Sequence, residues 1–164
     1  MSKKIKLRED LSIDFWGREL FRIECVEKIE SRNIPVGQLG GYVEKEDNLS
    51  GNAMVSGNAW VYSNAMVSGN AMVSGDARVS GNAEVSGDKI EKGADILNIT
   101  SNKGLYNITI TPRHIKIGCQ YHSKTAWWNF TDSEIKKMEG EKALEFWKKW
   151  KPVLQQICEV MSDD

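Results

Sequence analysis

Histidine is almost missing from this chain, with only His114 and His122 among 164 residues. Proline and cysteine are also scarce, at 3 each. No apolar run reaches the ~18 residues that a membrane-spanning helix needs, so no such helix is expected. The opening segment, MSKKIKLRED, is basic but has no apolar core behind it, so it does not read as a signal peptide. Cys25, Cys119 and Cys158 are odd in number and far apart, the pattern of reduced thiols in a cytoplasm. The sequons at Asn98, Asn107 and Asn129 are then chance matches. Lys and Arg total 22 against 23 Asp and Glu, a net charge of −1. That balance gives no general attraction to nucleic acid or to anionic membrane.

Glycine is abundant, at 14, and much of it is periodic. From Gly51 to Gly87 the chain reads GNAMVSGNAWVYSNAMVSGNAMVSGDARVSGNAEVSG. The frame is Gly, Asn or Asp, Ala, a variable residue, Val, Ser. Val55, Val61, Val67, Val73, Val79 and Val85 recur every six residues, and Ala53 to Ala83 sit two before each. The frame extends backwards to Leu49 and Val43 and decays at Lys89 and Glu91. Side chains two apart share one face of a strand, so Ala and Val point inwards together and the residue between them points out. Gly with Asn or Asp then permits a sharp turn.

Before the repeat, RELFRIECV (18–26) alternates as a half-buried strand does, and NIPVGQLGGY carries turn signals. After it, YNITITPRHIKIGCQ reads as two short strands around Pro112. TDSE (131–134) is a capping box that opens a helix ending near Gly140. A second helix is expected over about 141–161, where Trp147, Trp150, Leu154, Ile157 and Met161 form one stripe. Pro152 either kinks that helix or starts a new one.

The Ala–x–Val hexads resemble the hexapeptide repeats of left-handed parallel β-helices. That resemblance implies three hexads per triangular coil. The eight hexads from Val43 to Val85 then make just under three coils, a prism about 15 Å tall. The expected fold is therefore mainly β. It comprises an N-terminal β cap (1–42), a short left-handed parallel β-helix (43–98) and a C-terminal α+β subdomain of strands and two helices (99–164). With 18 residues per coil, Met54 stacks on Met72, Trp60 on Arg78 and Met66 on Glu84. Two readings of these outward apolar residues stand. Either the C-terminal helices cover them, or they form a subunit or partner interface. The resemblance implies a homo-oligomer, a trimer or a dimer.

LGGYVEKEDNLSGNAMVSGNAWVY (39–62), IGCQYH, WWNFTDSEI and ALEFWKKWKP are also similar to segments of bacteriophage and prophage hexapeptide-repeat proteins. This second resemblance covers the chain from about Arg18 onwards. It implies a phage origin, a bacterial host cytoplasm, and a protein that blocks host defence. Its partner would be a defence protein or a signalling nucleotide.

Left-handed β-helices often house acyltransferases, which need a histidine base on a coil. The repeat contains none, so no enzymatic activity is expected. A virion or tail β-solenoid component and an acyltransferase remain the alternative functions. Cys119 and His122 read as half a metal site, as a dyad, or as a buried thiol beside a turn histidine. No second paired motif completes a zinc site, and no metal or cofactor is expected. Trp127 and Trp128 are core residues or base-stacking surfaces, with Arg113 or Lys124 near a phosphate. Lys148, Lys149 and Trp150, in KKWK, form a solvated helix face or an acidic-partner patch.

Overall fold

A computed structural model describes residues 4–100 and 106–162. They fall into two units, one ending at Asp95 and the other beginning at Ile96.

The first unit opens with two long strands, β1 (Ile5–Phe15) and β2 (Arg18–Cys25), followed by β3 (Leu39–Val43). Seven short strands then come from the repeat. They are β4 (Met54–Val55), β5 (Trp60–Val61), β6 (Met66–Ser68), β7 (Met72–Val73), β8 (Arg78–Val79), β9 (Glu84–Ser86) and β10 (Lys89–Ile90). Their shortness follows from the sequence, because each hexad gives most of its residues to turns and flanks. The strands pair in parallel across successive coils. Val43 faces Val61 and Val61 faces Val79 along one ladder. Val55 faces Val73 along a second, and Val67 faces Val85 along a third. The spacing is 18 residues throughout, as the repeat predicts. These seven valines are fully buried, and the alanines are buried beside them.

The last rung breaks the period. Ile90 pairs with Val73, one residue short of the regular spacing. Asp88 then occupies the small inward slot and is 1% exposed. This is where the hexad frame decays.

The N-terminal segment is continuous with the solenoid. Strands β1 and β2 form an antiparallel hairpin, β2 pairs with β3, and β3 pairs in parallel with β5. A single five-stranded sheet results, in the order β1-β2-β3-β5-β8. Gly40 and Gly41 permit the junction. A Cβ at Gly41 would lie 2.5 Å from the Ala59 carbonyl oxygen, and one at Gly40 would lie 2.4 Å from that of Val55.

The second unit is an antiparallel four-stranded meander of β11 (Leu97–Ile99), β12 (Ile108–Ile110), β13 (His114–Ile117) and β14 (Gln120–Ser123). The expected repeat boundary at 98 therefore falls inside a strand of this unit. Two helices follow, α1 (Lys124–Asn129) and α2 (Asp132–Val160). The Thr131–Glu134 capping box is present. Helix α2 breaks at Glu139 and Gly140, where Gly140 has φ 71. No new helix starts at Pro152, which lies within α2. The apolar stripe of α2 packs with Ile108, Ile110, Ile115, Ile117 and Trp127 into one core. Among the described residues, no helix is long and apolar enough to cross a membrane.

Candidate functional site

The variable slot of each hexad behaves as the spacing predicts, and at Met54 it is covered from within the first unit. Met54 pairs with Met72, Trp60 with Arg78, and Met66 with Glu84. Met54 is nevertheless only 6% exposed, packed against Cys25, Ile29 and Ile34. It points out of the solenoid but not into solvent, so it is unavailable to a partner. Within this unit the cover is the N-terminal segment. Met72 is half-buried, whereas Met66 and Arg78 are exposed.

The Trp60 face carries an aromatic cluster. Phe15 meets Trp60 edge-on at 4.9 Å and Tyr62 at 5.6 Å. The Arg78 guanidinium lies 4.2 Å from the Trp60 ring centroid and 5.7 Å from that of Phe15. Arg78 makes no ion pair among the described residues, and its cation lies over these two ring faces.

Beside this cluster, the β1–β2 hairpin turns on Trp16 and Gly17, with φ 56 and 76. Both positive values mark the tight turn that suits a right-twisted hairpin, and that turn strongly favours Asn-Gly. Trp at the first position is a strained choice. The residue is 92% exposed, with its ring centroid 6.4 Å from that of Phe15. The left-handed region costs a non-glycine residue roughly 1–2 kcal/mol. Neither the backbone nor packing accounts for a tryptophan here. Sequence reasoning missed both Phe15 and Trp16. The only local signal is the Trp-Gly dipeptide between two alternating stretches, without the Asn or Asp that marks such turns.

The candidates of the second unit are distributed differently. Trp127 is 3% exposed, and its indole donates to the Ile115 carbonyl at 2.7 Å, so it is a core residue and not a stacking surface. Trp128 is half-buried and stacks on Trp147. Trp150 stacks on Phe146 at 5.5 Å. Lys148 pairs with Asp132 at 3.2 Å, and Lys149 is exposed. Arg113 is exposed in the β12–β13 turn.

Cys119 and His122 do not bond to each other. His122 Nε2 meets Gln120 Oε1 at 3.2 Å, and its ring packs edge-on against Trp127 and Phe130. Burial among these rings pushes the imidazole pKa below its ordinary value. The Cys119 sulfur is exposed and accepts from Gln120. It borders a cavity of about 80 Å³ with Tyr106, Met138 and Phe146. There the Tyr106 hydroxyl donates to Glu139 and is pushed up to about 12, mainly by burial. No group of three or more His, Cys, Asp or Glu converges among the described residues.

Stacked hexads in three parallel ladders define a β-solenoid repeat protein. The family model described as the YdcK β-solenoid repeat matches this chain twice, over residues 49–63 and 65–79. No curated protein matched the chain.

Proposed function

We propose that this protein is a non-enzymatic binding protein whose short solenoid, read as a closed left-handed prism, holds an aromatic hairpin tip against another protein. The observation that carries this reading is Trp16, fully presented to solvent in a backbone conformation that disfavours it. Anchors of protein interfaces are enriched in Trp, Tyr and Arg. Trp16 projects beside Phe15, whose ring Arg78 also approaches, and Arg78 brings a positive charge without an ion-pair partner among the described residues. The chemistry suits a partner surface with an apolar pocket and an acidic rim.

The similarity to phage and prophage repeat proteins supports a bacterial host as the setting, and an antiviral defence protein as the partner class. Occupying that partner's surface would inhibit it. The assembly is a homo-oligomer in this reading. Met66, 46% exposed beside Glu84, is the most exposed apolar residue of the outward slots and would serve for contact between copies.

The test is retention of host proteins by the purified chain and by a Trp16→Asn variant. Asn-Gly suits this turn better, so the variant should fold at least as stably. A host protein held by the wild type and lost from the variant is the expected result. Identical retained proteins for both would overturn the reading.

A further inference from the structure

The β-meander and the broken helix of the second unit border a cavity of about 80 Å³. Tyr106, Trp127, Phe146 and Trp147 line it. Tyr106 is half-buried and the other three are buried. Tyr106 and Phe146 meet at 88° with centroids 4.8 Å apart, so their rings form a corner. Phe146 and Trp147 each stack on a neighbour, Trp150 and Trp128, and still border the cavity. The rest of the lining is aliphatic or thioether, apart from Glu139, Gln120 and Cys119. Among the described residues no Lys, Arg or His lines it.

The break in α2 places Glu139 at the rim. Glu139 leaves the helical conformation, with φ −154 and ψ 36, and its carboxylate accepts the Tyr106 hydroxyl. Its side chain is 55% exposed, so a ligand can reach the carboxylate. One cation already sits near this pair. The Lys142 ammonium lies 5.3 Å from the Tyr106 centroid and 3.9 Å from Glu139 Oε1. Both contacts are at the long end of their ranges, and the Lys142 side chain is 62% exposed, so it is a loosely held neighbour.

A bare ammonium is strongly hydrated. Methyl groups replace its N–H donors with apolar surface, which suits a floor of rings, and aromatic cages recognise such cations. A cavity of about 150 Å³ holds benzene, so one near half that volume takes a head group of about three or four heavy atoms. We propose that this cavity binds a methylated ammonium head group, held between the Tyr106 and Phe146 rings and the Glu139 carboxylate. The stem of the ligand leaves past the exposed Glu139. The site lies within the second unit, and its occupancy does not depend on the function proposed for the Trp16 tip.

The experiment titrates the full chain, labelled with ¹³C-methyl methionine, and is read by methyl NMR. Met138 lines the cavity, whereas Met54 and Met66 lie in the first unit. Choline should shift Met138 saturably and leave Met54 and Met66 unmoved. The neutral carbon analogue of choline, with tert-butyl in place of trimethylammonium, has the shape without the charge. Ethanolamine has the charge without the methyl groups. Each should bind about ten-fold more weakly than choline. Glu139→Gln should weaken choline about three-fold, the effect of losing a half-exposed ion pair. Lys142→Met should tighten it, because a competing cation leaves the rim. Both side chains are exposed, and the methyl spectra without ligand report that the variants fold. A free compound and a methylated lysine side chain carry the same head group, so an amide of trimethyllysine, titrated beside choline, ranks the two sources. The proposal fails if choline leaves Met138 unmoved, or if the carbon analogue binds as well as choline. It also fails if a folded Glu139→Gln variant binds choline like the wild type.

Discussion

Arg78 stands one coil along from Trp60, directly paired with it in the ladder, and its guanidinium lies 4.2 Å from the indole centroid. The two are 18 residues apart, so the contact is a direct product of the coil period. Phe15 closes over both residues and ties the hairpin to the solenoid. Trp60 therefore has a structural duty beyond any recognition role. Trp60→Ala should lower stability by about 2 kcal/mol, below the usual cost in a full core because the ring is only half-buried. Arg78→Met should cost about 0.5–1 kcal/mol, the value of an exposed cation–π contact. Denaturant midpoints of the two single variants and the double variant give the coupling. If the single effects simply add, the contact contributes nothing.

Gly41 is fixed by a backbone approach. A methyl added there would meet the Ala59 carbonyl oxygen at 2.5 Å and Val55 Cγ1 at 2.6 Å. The carbonyl cannot turn aside, because it accepts the Tyr42 amide at 2.9 Å in the β3–β5 ladder. Gly41→Ala should cost about 3 kcal/mol, the upper range for overpacking. Gly93→Ala is the control, since nothing lies within 4 Å of its added carbon. Equal thermal midpoints for the two variants would show that the junction is not close-packed.

Ser63 holds the corner that glycine holds in the neighbouring hexads, at φ 61. Two contacts hold it there. Its amide donates to the Glu44 carboxylate, and its carbonyl accepts from the Asn48 side-chain amide, itself buried. Both use backbone atoms of residue 63, so Ser63→Gly keeps them while relieving the left-handed strain. The variant should be more stable by roughly 1 kcal/mol. A destabilised variant would show that the hydroxyl, not the backbone, matters at this corner.

How much of this was legible follows from how local each signal is. The inward valines and the Trp60–Arg78 register come from a strict six-residue period, which needs no knowledge of distant chain. The cover of Met54 was not legible. Its slot could be read as outward, but which segment lies over that slot depends on a hairpin joined to the solenoid through Gly40 and Gly41. The turn at Trp16 was hidden because tryptophan carries none of the usual turn chemistry. Helix α1 was missed for a similar reason. Ser123 caps it by accepting the Ala126 amide, yet six residues rich in tryptophan carry no helical period.

The bulged hairpin should also make the first unit sensitive to acid. Three residues of β1, between Arg8 and Ser12, have no partner on β2, and Arg8 spans the gap. Arg8 donates to Glu24 at 2.6 Å and to Asp10 at 2.7 Å, and Lys6 adds a contact to Glu24 at 3.2 Å. These bonds hold both carboxyls below their ordinary values, with the Arg8 hydrogen bond the largest cause for each. A carboxyl lowered in the folded state adds stability above its ordinary pKa, near 4. That stability is lost as pH falls towards the lower folded value. Hairpin stability should therefore decline below about pH 4 and change little between about pH 5 and 7. Arg8→Met should flatten this decline in the hairpin amides, measured by hydrogen exchange across the pH series. Glu134, lowered by its bonds to Thr131 in the second unit, should keep its own acid response in that variant. An unchanged hairpin profile in Arg8→Met would remove Arg8 as the cause and leave Lys6 as the charge to examine.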